Sequence, residues 1–356
     1  MITDATPIGR ADIVFSFDLT GSMGDVLSTA KSNAVDIMTA VDSEVPDAQF
    51  GVVSYMDDVD QYNSFGYSNT YGVASRGDYP YNMDNAITNN KAAISSAING
   101  LSLGYGSDGP EGYTRVFYES YADTTIGYRT GAKKIFINFA DDIPHDNNLN
   151  EDVPGKTGIY TTGGNPGRNG VMDETSDSSK IGVGNDDLDL QTVLQEMKNN
   201  DITLLEVQSS SSKLEYWTHW TGITGGNVYQ IDDSAEVKNA ILSLVSDVVS
   251  NIDALTLEVE PGYESWVSWT PESYTDVKGS ETKQFDVTIT VPAGTASGEY
   301  NFKIHLVADG AILASQDVKI TVPGESSPAA DIPEFPTVIL PMAAIMGLAF
   351  VFMRRK

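Results

Sequence analysis

The chain has no cysteine and only three histidines in 356 residues. Without thiols it has no nucleophilic cysteine, no zinc-cysteine site and no disulfide, and its redox compartment leaves no trace. Basic residues are scarce too: 21 Lys and Arg stand against 50 Asp and Glu, a formal net charge of -29. Phosphate backbones need clustered cations, so nucleic acid is excluded as a partner. The excess of acid favours cations as partners and suits a surface bathed in salt, where self-repulsion is screened. The opening "MITDATPIGRADIVF" lacks a basic segment followed by an apolar one, so no export leader is legible there. There is no G-x-S-x-G, and His145, His219 and His305 are far apart, which leaves no Ser-His-Asp set in view.

What the chain does have is a long apolar run at its end. Residues 335–353, "FPTVILPMAAIMGLAFVFM", carry no charge, approach the roughly 20 residues that span hydrocarbon, and run straight into "RRK". The positive-inside rule puts that tail in the cytoplasm and everything before it outside. An outside protein needs an export signal, so the true N-terminus is expected upstream of Met1. At the edge of the run, "IPEFP" at 332–336 resembles the archaeal PEF-CTERM sorting signal, a short motif, apolar helix and basic end in that order. The resemblance implies anchoring at an archaeal cell surface, with the tail processed by an archaeosortase.

The body of the chain alternates strand and helix signals. Apolar strand runs fall at residues 13–17, 50–56, 134–140, 202–207 and 226–231, and the run at 134–140, "KIFINFA", is apolar enough to be buried on both faces of a sheet. Between them, three- and four-residue apolar spacing marks helices at residues 26–41, 86–101, 113–122, 188–198 and 237–248. A Gly-, Asn- and Asp-rich loop at 143–185 is far longer than an ordinary connection, which makes it functional or mobile. This order predicts an α/β domain over residues 8–251, a doubly wound, mostly parallel sheet with helices on both faces. From residue 252 the period drops to two, as in Leu255, Leu257 and Val259 or Phe302, Ile304 and Leu306. That pattern predicts a β-sandwich over 252–323, similar in a generic way to immunoglobulin-like modules and serving as a spacer. Residues 324–332 follow as a flexible linker, and 333–356 form the sorting signal with its transmembrane helix.

Ligands of open α/β sheets sit at the carboxyl ends of the strands, and three loops bring oxygen donors there. The first, "DLTGSMGD", offers Asp18, Thr20 and Ser22 at alternate positions, with Gly21 and Gly24 allowing tight turns. Asp25 stands close behind. The second, "DGPEG", holds Asp108 and Glu111, with Thr114 near enough to compete with Glu111. The third, "FADDIPHD", places Asp141 and Asp142 after the most apolar strand. A set of hydroxyls and carboxylates suits a hard cation such as Mg²⁺, or Ca²⁺ or Mn²⁺.

"DLTGSM" resembles the Asp-x-Ser/Thr-x-Ser motif of the von Willebrand factor type A domain, "DGPEG" the "DSPEG" loop of integrin β-subunits, and "NFADD" their strand-end "FTTD". The resemblance implies a metal-ion-dependent adhesion site with Asp18, Thr20, Ser22, Glu111 and Asp142 as ligands. It also implies a protein or glycan partner whose carboxylate completes the metal shell, and binding without catalysis. Integrin β-subunits follow the third motif position with two acidic residues, whereas Val26 follows Asp25 here, and they carry Asn where this chain has Gly106. Both departures count against further cations beside the first.

Rival readings are few. Asp18, Thr20 and Ser22 are also the residue types that cap helices. A structural envelope protein would use the metal for stability alone. "DLTG" with "DDIPHD" is similar as well to haloacid-dehalogenase phosphatases, with Asp18 as nucleophile and Asp142 or Asp146 on Mg²⁺, but Thr20 stands where that family needs an acidic proton donor. His145 is expected as a solvated loop residue, Trp217 and Trp220 as packing for a short helix, and the Arg76-Gly77-Asp78 tripeptide as coincidence.

Overall fold

The computed structural model describes residues 10–323 except residue 46 and residues 60–70, 171, 173–186 and 279–282. The linker and transmembrane helix expected beyond residue 323 lie outside the described residues. Among the described residues no helix is long and apolar enough to cross a membrane. The chain divides into two compact units, one of residues 10–248 and one beginning at residue 249.

The first unit is built on strands β1 (Arg10–Asp18), β2 (Asp47–Tyr55), β3 (Asn82–Thr88), β4 (Lys133–Ala140), β5 (Ile202–Gln208) and β6 (Val228–Gln230). They form one sheet in the order β3-β2-β1-β4-β5-β6, parallel throughout except for the antiparallel edge strand β3. Strand β1 is buried from Ala11 to Asp18, as a central strand covered on both faces must be. From β1 the chain builds outward through β2 and β3, then returns to the other side of β1 with β4. The strand order therefore reverses between β1 and β4, and this is where an open sheet leaves a crevice at its carboxyl edge.

Helices α1 (Gly24–Glu44), α2 (Lys91–Gly100), α3 (Tyr113–Ala122), α4 (Leu190–Asn199), α5 (Leu214–Ile223) and α6 (Val237–Ser250) complete the unit. Val14, Phe136 and Leu204 point to one face, where they join Phe117, Val193, Leu194, Trp217 and Trp220 of α3, α4 and α5 in a single buried cluster. Phe15, Phe17, Phe50 and Phe139 stack with one another, Phe17 on Phe139 at 4.7 Å between centroids. Trp217 and Trp220, expected to pack a short helix, are fully buried on α5.

Two differences from the sequence reading concern this sheet. The helix expected at 86–101 begins only at Lys91, because residues 82–88 pair with β2 as the edge strand β3. Its alternation is weak because an edge strand buries little, so the periodic helix behind it dominates the pattern. The long loop keeps its irregular course where it is described, yet much of it is buried: Leu149, Thr162 and Asn165 are all sealed from solvent. It is pinned by Arg168, which pairs with Glu119 of α3, and by Arg115, which pairs with Glu119 and donates to the Gly167 carbonyl.

The second unit holds β7 (Asn251–Val259), β8 (Val267–Thr270), β9 (Ser273–Lys278), β10 (Asp286–Ile289), β11 (Gly298–Ala308) and β12 (Ala311–Val322). They make two antiparallel sheets, β12-β11-β7-β9 and β10-β8, whose inward residues, among them Leu257, Trp266, Phe302 and Val318, form one apolar cluster. Strands β8 and β9 were not legible in the sequence, since β8 alternates over only four residues and Thr275 and Asp276 break the alternation of β9.

Candidate metal centre

Asp18 is the last residue of β1, and the chain leaves the sheet immediately after it. Its carboxylate is buried and fully engaged. Oδ1 accepts the Thr20 backbone N–H at 2.8 Å and the Thr20 hydroxyl at 2.7 Å, an Asx-type turn that fixes the loop. Oδ2 accepts the Tyr113 hydroxyl at 2.8 Å. Thr20 Oγ1 lies 3.5 Å from Ser22 Oγ. Ser22 is exposed at the mouth, whereas Asp18 and Thr20 are sealed beneath it.

Neither Gly21 nor Gly24 supplies a left-handed turn: Gly21 opens a 3-10 turn and Gly24 is right-handed helical. The glycine that the site requires is Gly106, with φ +60. A Cβ there would stand 3.0 Å from Thr20 Cγ2 and 3.4 Å from Glu111 Oε1, so the loop passes between these two side chains with no room for more.

The Glu111 loop is stitched to both neighbouring strand ends. Glu111 N–H donates to the Ile143 carbonyl at 3.0 Å, His145 N–H to the Glu111 carbonyl at 3.1 Å, and Gly112 N–H to the Met56 carbonyl at 3.2 Å. These bonds carry Glu111 to the carboxyl edge beside Asp18. Its side chain is only 4% exposed, and its Oε2 has no hydrogen-bond partner.

After β4 the structure favours Asp141 over Asp142. The negative charge of Asp141 acts on both Asp18 and Glu111, and Ser22 lies near enough to favour the charged form of Asp141. Asp142 turns aside: its Oδ1 accepts its own loop's Ile143 N–H at 3.0 Å, and its Oδ2 lies beside Gly109. Its carbonyl accepts from Trp217 Nε1 at 2.9 Å, which fixes the loop to α5. The set brought together is thus Asp18, Thr20, Ser22, Glu111 and Asp141. Thr114 is not part of it, since its buried hydroxyl donates to the His145 carbonyl at 3.2 Å. Asp25 is exposed in the first turn of α1.

Asp108 belongs to a neighbouring group that sequence reasoning missed. Asp57, just beyond β2, Asp108 and His145 bring one ligand atom each within 4.8 Å of one another. His145 is fully buried, not a solvated loop residue. Its ring stacks on Tyr71 at 3.5 Å, Nδ1 lies 2.8 Å from the Thr162 carbonyl, and Nε2 lies 3.1 Å from Asp57 Oδ2 and 3.7 Å from Asp108 Oδ1. A carbonyl only accepts, so Nδ1 carries a proton there. The two carboxylates lift the histidine to about 10 against the opposing effect of burial, which makes it an imidazolium and the internal cation of this group.

Burial sets the electrostatics of the whole edge. It pushes Asp18 up to about 7, with the charge of Asp141 adding to it, and holds Glu111 well above the usual carboxylate range. Asp57 rises to about 6 and Asp142 to about 6, again chiefly by burial. Carboxylates so placed must hold protons or share a cation, and a bound cation reverses the shift by favouring the charged forms. The hydroxyl and carboxylate oxygens of Thr20, Ser22, Asp18, Glu111 and Asp141, with the unpartnered buried Glu111 Oε2, fit a hard divalent ion. The tripeptide at 76–78 is not an exposed recognition motif, because Asp78 is buried and its carboxylate accepts the Val73 and Tyr105 N–H groups.

Residues 332–356 match the PEF-CTERM archaeal protein sorting domain. No curated protein matches the chain. Among solved structures, the chain is similar to a von Willebrand factor type A protein from Catenulispora acidiphila, at 14% identity and a TM-score of 0.41, over 88% of this chain and 66% of that one. It is also similar to the SpRpn10 VWA domain, at 12% identity and a TM-score of 0.38, over 68% of this chain and 94% of that one.

Proposed function

We propose that residues 10–248 form a von Willebrand factor type A domain that holds one divalent cation, Mg²⁺ or its congeners Ca²⁺ and Mn²⁺, on Asp18, Thr20, Ser22, Glu111 and Asp141. Through that cation it takes a carboxylate from a protein or glycan partner, and it does no chemistry on it. The observation that carries this reading is the gathering of hydroxyls and carboxylates from three loops at the crevice between β1 and β4, where Glu111 Oε2 is buried without a partner. Ser22 alone of the set is exposed, which leaves one open side for an incoming oxygen. The sorting-domain match at 332–356 supports display at the cell surface, with the β-rich second unit as an immunoglobulin-like spacer, a transmembrane tail as anchor and an archaeosortase as its processing partner.

A nucleophilic role for Asp18 is disfavoured by its hydrogen bonds. Both carboxylate oxygens already accept from Thr20 and Tyr113, and Thr20 offers no acidic proton. A purely structural use of a cation is favoured by one feature only, the closed burial of Asp57, Asp108 and His145.

The test is adhesion of the Mg²⁺-loaded protein to envelope extract, with and without EDTA, for the native chain and Asp18→Ala. The expected outcome is EDTA-sensitive binding that Asp18→Ala abolishes. Full, metal-dependent binding by the variant would show that the cation sits elsewhere.

A further inference from the structure

The rim of the cation site carries a second device. Loop residues 102–107 cross over the Asp18 loop: Gly104 N–H donates to the Leu19 carbonyl at 2.7 Å, and the Tyr105 carbonyl lies 3.6 Å from where a Cβ on Gly21 would be. The next residue, Gly106, is the one wedged between Thr20 and Glu111. Tyr105 is therefore one residue from the site, yet it is 50% exposed, and Leu103 beside it is 42% exposed. Against this loop stands the short 3-10 turn Ala74–Arg76. Asp78 joins the two, its Oδ1 accepting Tyr105 N–H at 2.8 Å and its Oδ2 accepting Val73 N–H at 2.9 Å.

Arg76 sits over the Tyr105 ring, with its guanidinium carbon 3.6 Å from the ring centroid. Among the described residues that guanidinium makes no ion pair, although acidic residues outnumber basic ones 50 to 21 in the chain. Stacking engages the face of the guanidinium and leaves the in-plane N–H groups outward, in the fork that matches a carboxylate. It also holds the side chain in one place, so little rotamer freedom is lost when a ligand arrives. Tyr105 and Leu103 add apolar area next to it.

We propose that Arg76, seated on Tyr105, is a second recognition point for the partner and receives a second carboxylate from the same acidic segment whose first carboxylate binds the cation. This rests on the cation reading above. Arg76 lies on Tyr105, whose chain neighbour Gly106 stands between Thr20 and Glu111, so the two points are neighbours on one rim. The partner segment is accordingly diacidic, with its two acidic side chains close together in sequence and an apolar or aromatic residue alongside to cover Tyr105 and Leu103. The Arg76-Gly77-Asp78 tripeptide thus acts in reverse, as a receiver of acid: its aspartate is turned inward as a brace, and its arginine is turned outward as a binding group.

The experiment is selection of a random peptide library on the immobilised full chain in Mg²⁺, followed by titration of the selected peptide against Arg76→Gln, Arg76→Lys and Asp18→Ala. The expected result is enrichment of diacidic peptides that Arg76→Gln binds at least about 10-fold more weakly, with Mg²⁺ affinity unchanged and only partial recovery in Arg76→Lys. Replacing the distal acid of the peptide should remove the difference between native and Arg76→Gln proteins. EDTA-sensitive enrichment of peptides with a single acid, or equal affinity of Arg76→Gln for the diacidic one, overturns the Arg76 proposal and leaves the cation reading standing, whereas enrichment of no acidic peptide overturns both. Binding that survives both EDTA and Asp18→Ala overturns the cation reading itself.

Discussion

Tyr113 shows how a residue outside the donor set governs it. Its hydroxyl donates to Asp18 Oδ2 at 2.8 Å and faces the backbone N–H of Asp142 at 3.3 Å, so one phenol ties the end of β1 to the loop after β4. Groups that orient metal ligands are typically worth 10- to 100-fold in affinity, and Tyr113→Phe is expected to weaken Mg²⁺ binding by about that factor in calorimetry while the fold is retained. The pH dependence follows from Asp18. Burial raises it to about 7 in the metal-free protein, so below that pH a proton must leave before the cation binds. Apparent Mg²⁺ affinity should therefore fall as the pH drops through about 7 and rise with pH above it, since Glu111, also raised by burial, must release its proton too, which titrations between pH 5.5 and 8.5 will check; an affinity flat across that range would remove Asp18 from the site. Asp18, Thr20 and Ser22 were legible because alternation within one loop is a local pattern. The choice between Asp141 and Asp142 was not, since it depends on where the pleat of β4 stops. Tyr113 carried no signal either, being one of many tyrosines, and Asp57 and His145 gain their partners only through long-range folding.

Elements position the site through a few close approaches. Gly226, in the turn before β6, passes so near β5 that a Cβ would lie 1.8 Å from the Leu204 carbonyl oxygen. A side chain there must push the backbone of β5 aside, and β5 flanks β4 in the sheet. Gly226→Ala is expected to cost about 3 kcal/mol, at the upper end of overpacking penalties, and to lower the melting temperature of this unit by roughly 6 to 12 °C. A scanning calorimetry trace unchanged from the native protein would contradict that packing. At this scale the central strands were readable, because β1, β4 and β5 are buried on both faces and spell near-continuous apolar runs. Edge strand β3 and short strand β9 were not, because partly exposed strands mix polar and apolar residues without strict alternation, and β8 was not because four residues are too few to establish a period.

Across the whole molecule the acidity acquires a role. With a net charge of -29, the buried carboxyl groups of Asp18 and Glu111 and the half-buried one of Asp141 are crowded at one sheet edge, where a divalent ion relieves their mutual repulsion. In the neighbouring group the His145 imidazolium is one cation facing two carboxyl groups, Asp57 and Asp108, and both Asp108 oxygens are buried without a hydrogen-bond partner. The reading to test is thus a divalent cation held at the Asp18 loop. Crystals soaked in Mn²⁺ and measured at an energy where manganese scatters anomalously test it most directly. An anomalous peak is expected about 2.0 to 2.3 Å from Ser22 Oγ and a Glu111 carboxylate oxygen, within reach of Asp18, Thr20 and Asp141 directly or through water. An empty Asp18 loop, or a peak confined to Asp57, Asp108 and His145, would contradict it.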